Sequence, residues 1–229
     1  MDYINFAYTE FKEKLDLTKV NIKDEANFLN IKIKNLNRET ARIIKHSFEK
    51  QDNIIEANKF YALEMKERAK ELNDKNNKDK NFIDWLVFKI HGISSNHSQD
   101  WILALFWIIN ITLVTTFLQF ELAEENILFY FISITIISLI LLFIGSLFIL
   151  EINKNYKVIT IFIFSCLHYI TYSIFTNDYN LCFSVNNLNP FSIMTGKETL
   201  TIGIFIYKII IAYLIYQFII SIRQNTRRK

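Results

Sequence analysis

Long apolar stretches dominate the second half of the chain. Four of them are almost free of charge and cover residues 101–120, 127–150, 158–175 and 201–222. Because a helix rises about 1.5 Å per residue, about 20 apolar residues cross the roughly 30 Å hydrocarbon layer of a bilayer. Four such helices buried in a soluble protein would need more polar residues to cover them than this half contains. The pattern therefore predicts a membrane domain over residues 101–229 with four transmembrane helices.

Part of the first half shows the spacing of amphipathic helices. Asn37 is suited to cap a helix on which Ala41, Ile44 and Phe48 recur at intervals of three and four. A polar turn at residues 51–53 interrupts the pattern. The apolar stripe of a second helix then consists of Ile54, Ala57, Tyr61, Met65, Ala69 and Leu72.

Charged residues mark the outer face of this second helix. Glu64 and Arg68 stand four positions apart, and Glu67 and Lys70 stand three apart, so we expect two ion pairs along the surface. Two short helices with facing apolar stripes bury each other. The pattern thus predicts an antiparallel helical hairpin over residues 38–72.

The segments that flank the hairpin are less regular. Residues 3–15 fit an amphipathic helix, whereas residues 20–34 fit extended structure as well as a helix. Residues 81–100 form a juxtamembrane segment, and the aromatic run at residues 82–92 predicts a helix lying along the inner membrane surface. Packing of that helix on the hairpin is the alternative. With a mainly helical cytoplasmic region over residues 1–80, the predicted fold class is all-α.

Charge separates the two halves and sets their orientation. Residues 1–100 carry 18 Lys/Arg and 17 Asp/Glu, whereas residues 101–229 carry 8 and 6. Cytoplasmic flanks of membrane helices are rich in Lys and Arg. One side of the predicted spans holds Lys75, Lys78, Lys80, Lys89, Lys154, Lys157, Arg223, Arg227, Arg228 and Lys229, and the other holds Lys197. With no signal peptide at the start, the chain is predicted to lie in a bacterial inner membrane with both termini cytoplasmic.

Three segments carry a resemblance to a known family. Residues 37–45 (NRETARIIK) and 51–65 (QDNIIEANKFYALEM) resemble the segment between the repeat array and the hydrophobic helices of bacterial pentapeptide-repeat membrane proteins. Residues 216–228 (YQFIISIRQNTRR) are similar to the end of those proteins. The resemblance covers residues 36–229 and implies a helical linker with a C-terminal membrane module. Ala26–Asn30 matches one repeat, and because a single copy cannot build a solenoid coil, the array itself is expected to be missing.

Polar residues inside the predicted spans are the candidates for function, because such residues are costly in a bilayer. These candidates are Lys208, His168, Gln217 and Asn110. Lys208 is expected to extend toward the membrane surface or to pair with the acidic turn at residues 121–125. We expect hydrogen bonds between helices as the main role of these side chains. An ion path through Lys208 and a proton relay through His168 are the alternatives.

No catalytic or metal-binding pattern accompanies these residues. The sequence contains no P-loop, GxGxxG, GxSxG or HExxH motif, and His91 and His97 have no third ligand at suitable spacing. We therefore expect neither an enzyme nor a cofactor or metal. The basic tail at residues 223–229 is too short to indicate nucleic-acid binding.

Two functions remain as hypotheses. The first is a membrane-anchored module that binds or scaffolds another protein through residues 1–80. The second is a subunit of an ion channel or small transporter, motivated by Lys208, His168 and the outer loop at residues 176–200. The expected partners are the lipid bilayer and a cytoplasmic protein, and association with further copies of the chain is open.

Overall fold

The computed structural model of the chain describes residues 4–20, 26–73, 82–121, 140, 143–145, 154–177, 179–181, 185, 187–195 and 201–226. The fold is mostly helical, and the residues described include two helices that are long and apolar enough to cross a membrane. It is not all-α, because four short strands precede the first helix. The chain divides into two compact units, residues 1–93 with 223–229 and residues 94–222.

The first unit begins with two rungs of a parallel β-coil. Its strands are β1 (Ile4–Asn5), β2 (Glu10–Leu15), β3 (Ala26–Asn27) and β4 (Lys32–Leu36). β1 pairs in parallel with β3, and β2 pairs in parallel with β4. Ile4 lies opposite Ala26 and Glu10 opposite Lys32, so both pairs join residues at one fixed separation along the chain. Each strand of the first rung therefore pairs with the strand that occupies the same place in the second rung, one turn of the coil later. The amphipathic helix expected at residues 3–15 is wrong.

Side chains at equivalent positions repeat from one rung to the next. Asn5 and Asn27 each accept a hydrogen bond from the backbone N–H two residues further on, at 2.9 and 3.0 Å. Three residues after each asparagine, Tyr8 and Asn30 have φ angles of 57° and 55°. These local bonds make the same left-handed corner in both rungs, which keeps the rungs in register.

An aromatic stack links the two rungs. The rings of Phe6 and Phe28 lie parallel with centroids 5.5 Å apart, and Phe28 is fully buried. Ile4–Tyr8 therefore occupies in the first rung the place that Ala26–Asn30 occupies in the second. The segment that the sequence analysis treated as a single copy thus has a structural equivalent one turn earlier in the coil, and the family resemblance stays a prediction.

Two helices, α1 (Arg38–Lys50) and α2 (Ile54–Asn73), follow the coil. The side chain of Asn37 caps α1 by accepting from the Thr40 N–H at 2.8 Å. The helices run antiparallel, because Arg38 at the start of α1 contacts Glu71 near the end of α2. Phe48 stacks on Phe60 near the turn between the helices. Ala41, Ile44 and Phe48 are buried as their spacing predicts.

The stripe expected on α2 is rotated from the observed one. α2 buries Ala57, Phe60 and Glu64. Glu64 does not pair with Arg68 on the surface; its carboxylate accepts from Lys45 of α1 at 2.8 Å. The expected surface pair of Glu67 and Lys70 does form. The rotation follows from the partner surface, since Phe60 packs into the core beneath the coil.

The helices of the second unit follow the apolar stretches closely. After α3 (Phe82–Ser95) come α4 (Trp101–Glu121), α5 (Lys154–Thr176) and α6 (Ile202–Thr226). The stretches of α5 and α6 that could cross a membrane are Tyr156–Ile174 and Ile202–Thr226, and α4 contributes the shorter apolar stretch Trp101–Thr116. Most of the predicted span at residues 127–150 lies outside the described residues, as does the linker after residue 73. Gly145 in this span lies against Phe106 and Phe164.

Candidate functional site

The β-coil has one closed end and one open end. At the closed end, the Ala26 carbonyl of β3 accepts from the Ser47 hydroxyl at 2.7 Å and the Gln51 amide at 3.0 Å. The Leu17 N–H donates to Thr40 Oγ1 at 2.9 Å, so α1 is fixed to the coil at two places. At the other end, neither β1 nor β2 has a second strand partner among the described residues. We call the free edges of β1 and β2 the rim.

The rim carries alternating charge. β2 reads Glu10, Phe11, Lys12, Glu13, Lys14 and Leu15, and its four charged side chains are exposed. Within the coil, Glu10 faces Lys32 and Phe11 faces Ile33 across the ladder. The free edge of β2 thus presents charged and aromatic side chains, and side chains of these kinds already lie opposite their partners between the two rungs.

Helix α3 has two different faces. Trp85 donates to Asn73 Oδ1 at 3.2 Å, and the Arg68 guanidinium lies 5.7 Å from the Phe88 ring centroid, so one face packs on α2. The other face is apolar and exposed, and it consists of Ile83, Leu86, Val87, Ile90 and Ile93. Packing on the hairpin, one of the two alternatives that the sequence left open for this helix, is therefore observed on one face, and the position on the membrane surface stays a prediction. An exposed apolar stripe of this kind is typical of a helix in a membrane interface.

Two of the candidate residues, His168 and Asn110, meet inside the second unit. His168 Nδ1 of α5 lies 2.6 Å from Asn110 Oδ1 of α4, and both side chains are buried. The Asn110 amide also donates to the Phe106 carbonyl at 2.8 Å. A tertiary contact of this kind joins the two helices in the way that the sequence predicts for polar groups in spans.

Lys208 lies in a separate polar cluster. Its ammonium donates to the carbonyls of Asn187 and Asn189 at 3.1 and 3.0 Å, and its exposed fraction is only 2%. The ammonium is therefore enclosed by groups of the chain, and its extension toward the membrane surface stays a prediction. The other predicted partner, the acidic turn at residues 121–125, lies outside the described side chains.

The Asn187 side chain links this polar cluster to α4 by hydrogen bonds. Its amide donates to Thr116 Oγ1 at 2.8 Å and to Gln119 Oε1 at 2.7 Å. The Tyr207 hydroxyl lies 3.1 Å from Thr112 Oγ1 and 3.3 Å from the Asn187 carbonyl. The described part of the segment at residues 176–200 thus reaches α4 through Asn187 and does not lie wholly on the surface.

Gln217 fixes the turn that leads into α4. Its Oε1 accepts from the hydroxyls of Ser95 and Ser98 at 2.9 Å each. Residues 96–98 all have positive φ angles, of 48°, 56° and 61°. Non-glycine residues rarely adopt this conformation in succession because it is strained. The hydrogen bonds to Gln217 therefore hold an unfavourable turn in place.

The four candidates therefore belong to three clusters and not to one site. Sequence reasoning missed Asn187 and Tyr207, which join Lys208 to α4. Thr112, Thr116 and Gln119 follow at intervals of four and three, so their common face was a signal that could have revealed the partner surface. Asn187 gave no comparable signal, because it lies between the predicted spans and outside their periodic apolar stretches.

Comparison of the chain with known families, with curated proteins and with solved structures finds no match.

Proposed function

We propose that this chain is a multi-pass inner-membrane protein whose N-terminal unit is a cytoplasmic protein-interaction or scaffold module. The observation that carries the proposal is the construction of that unit. It has its own core around Phe28, Ile44 and Phe48, it is closed by helices at one end, and it leaves the rim open at the other. An unpaired strand edge on a stable domain is a common surface for binding a partner.

The membrane assignment is supported by the surface of the second unit. Phe162 of α5 and Ile202 of α6 are 70% and 81% exposed, while His168 and Lys208 are buried. Many further large apolar side chains of α5 and α6 are exposed as well, and apolar surface that is not covered within the chain is typical of contact with lipid or another protein. Four spans and cytoplasmic termini are the arrangement that the apolar stretches and the ten-to-one bias of Lys and Arg favour.

The family resemblance is part of the same proposal. A parallel β-coil with repeated Asn and Phe positions is what more than one repeat of the family type would build. The two rungs at residues 4–36 therefore support a pentapeptide-repeat-associated origin better than the sequence alone does.

Co-purification of the full chain tests the interaction role. The tagged protein is extracted from membranes after cross-linking, and the proteins bound to it are compared with those bound to Phe28→Ala. The variant removes a fully buried ring from the N-terminal core, whereas the second unit does not contain that ring. We expect the variant to stay in the membrane fraction and lose the partner. A partner retained by Phe28→Ala, or no specific partner for either protein, would contradict the proposal.

The second candidate function is a channel or transporter subunit. It is favoured by the buried Lys208 ammonium, which two main-chain carbonyls hold as they would hold a mobile cation. Flux of common ions into liposomes containing the full chain tests it, with Lys208→Met as the variant. Conductance that disappears in a folded Lys208→Met chain supports the candidate. The absence of ion flux through the native protein would contradict the channel or transporter function.

A further inference from the structure

We propose that the rim is a self-association surface, on which β2 of a second copy of this chain pairs antiparallel with β2 of the first. The inference rests on the proposed interaction role of the N-terminal unit and names the partner. It begins from the asymmetry of the coil. Ser47 and Gln51 cover the edge of β3, whereas the described residues place no strand on the free edges of β1 and β2. Exposed strand edges readily pair with other strands.

The order of charges along β2 favours a second copy of this chain as the partner that binds at the rim. In an antiparallel pair centred on Phe11, Glu10 of each copy lies opposite Lys12 of the other, and the two Phe11 side chains face each other. Opposite charges and aromatic pairs directly across a ladder are favourable. The same arrangement is self-complementary, as a twofold interface requires. Inside one chain, Glu10 already lies opposite Lys32, across the parallel ladder of β2 and β4.

Other registers fit less well. Centring the pair on Lys12 places two lysines opposite each other, and like charges across a ladder are destabilising. A register centred between Lys12 and Glu13 also opposes unlike charges. However, both residues of its central pair, Lys12 and Glu13, fall in the irregular stretch between Phe11 and Lys14, whereas the register centred on Phe11 uses only Lys12 from that stretch. The register centred on Phe11 is therefore the favoured one.

Attachment to a membrane makes a small interface sufficient. A pair of short strands offers few contacts, and isolated two-stranded pairing is weak in water. Chains held in one bilayer with their N-terminal units on the same side meet at a raised effective concentration, which strengthens weak contacts. Anchoring and rim pairing thus act together.

Charge reversal in the full chain tests this register. Native chains labelled with donor or acceptor dyes are reconstituted in liposomes at a low protein-to-lipid ratio, and energy transfer reports association. We expect Lys12→Glu alone and Glu10→Lys alone each to weaken association about tenfold, because each places like charges opposite one another. A mixture of the two variants restores unlike pairs on both sides, so its energy transfer should return to within about twofold of the native level.

Two further measurements keep the test independent of any one variant. Lys12→Glu mixed with native chain retains one favourable pair and gains one unfavourable pair, so intermediate association is expected without using Glu10→Lys. Lys34→Glu changes an exposed lysine on β4 away from the rim and should leave association unchanged. Native chains that show only random proximity would overturn the inference. So would association insensitive to Lys12→Glu, or the loss of association in the mixture.

Flotation of the same liposomes separates this inference from the proposed function. Chains that associate through the rim but do not float with lipid contradict the membrane assignment and support the inference. A different protein bound at the rim, without self-association, overturns the inference and leaves the interaction role in place.

Discussion

The two units differ in the side chains that their helices expose. In the N-terminal unit the interior consists of Phe28, Ile44 and Phe48, and charged residues cover the surface of α1 and α2. In the second unit Phe106 and Ile211 are inside together with His168 and Lys208, whereas many other large apolar side chains of α5 and α6 are exposed. Apolar surface exposed to water costs roughly 25 cal/mol per Å², so the exposed side chains of α1 and α2 suit an aqueous surrounding better than those of α5 and α6 do. This difference supports the proposed placement of the second unit in a membrane.

The largest expected effect comes from removing a core ring on the aqueous side. Phe28→Ala deletes a fully buried side chain that stacks on Phe6, and a deletion of this kind costs about 3–5 kcal/mol. Hydrogen exchange of the full chain should show faster exchange over residues 26–50 and unchanged exchange over residues 101–116. Ile55→Ala, at an exposed position of α2, is the control. Faster exchange in both regions would show that the two units do not fold separately.

The next effect concerns packing between the helices of the second unit. A Cβ at Gly145 would lie 2.9 Å from a ring carbon of Phe164 and 3.1 Å from one of Phe106, so Gly145→Ala overpacks the contact. We expect a loss of about 1–3 kcal/mol, measured as a lower thermal midpoint in detergent. At Gly203 the added Cβ meets nothing within 4 Å, so Gly203→Ala is the matched control. Equal midpoints for the two variants would refute the close packing at Gly145.

A smaller effect tests the polar interior of that unit. A double-mutant cycle of Asn110→Ala and His168→Ala, followed by unfolding in detergent, isolates the hydrogen bond between α4 and α5. Hydrogen bonds between membrane helices average about 0.6 kcal/mol and reach about 1.7 kcal/mol in such cycles. We expect a coupling in that range. Additive single effects would mean that the two side chains act independently.

The smallest effect is a pH dependence confined to the N-terminal unit. Hydrogen bonds from Thr18, and then from Lys14 and Asn37, hold the pKa of Asp16 well below its ordinary value of 3.8. A lowered pKa in the folded state stabilises the fold above about pH 3.8, and this stabilisation is lost as the pH falls below that value. Asp16→Asn should therefore reduce the stability of this unit at pH 6, and its difference from the native chain should shrink toward pH 2.

Asp52→Asn provides the comparison for this measurement. It removes a carboxylate from an exposed turn position with a φ of 53°, a conformation that asparagine also tolerates. Hydrogen exchange of residues 26–50 across the pH range reports both variants. Equal pH profiles for Asp16→Asn and the native chain would contradict the role of Asp16.

Local sequence pattern predicted the helices well and the coil poorly. The cap at Asn37 and the apolar runs depend on neighbouring residues, so α1, α4 and α5 begin and end close to where the pattern places them. The rungs depend on pairing between distant residues, and strands as short as Ile4–Asn5 carry almost no periodic signal. Partner surfaces decide the rest, as the rotated stripe of α2 shows.

The buried polar residues also divide into those whose partners the sequence pattern predicts and those whose partners it does not. Hydrogen bonding between helices was predictable for Asn110 and His168 because both lie on periodic apolar helices. The partners of Lys208 are carbonyls of a loop, and no spacing rule points to them. Sequence therefore indicates which buried polar groups need partners better than it indicates the partners.

The central claim is that the chain crosses the inner membrane with its N-terminal unit and its C-terminus in the cytoplasm. The most direct test is to measure on which side of the membrane each segment is accessible. In a background without native cysteines, single cysteines replace Lys59 in the N-terminal unit, Met194 in the outer loop and Gln224 near the C-terminus. A maleimide that cannot cross the membrane is added to spheroplasts. The account predicts labelling at position 194 in intact spheroplasts, and labelling at positions 59 and 224 only after the membrane is opened. Labelling of position 59 or 224 in intact spheroplasts would contradict it.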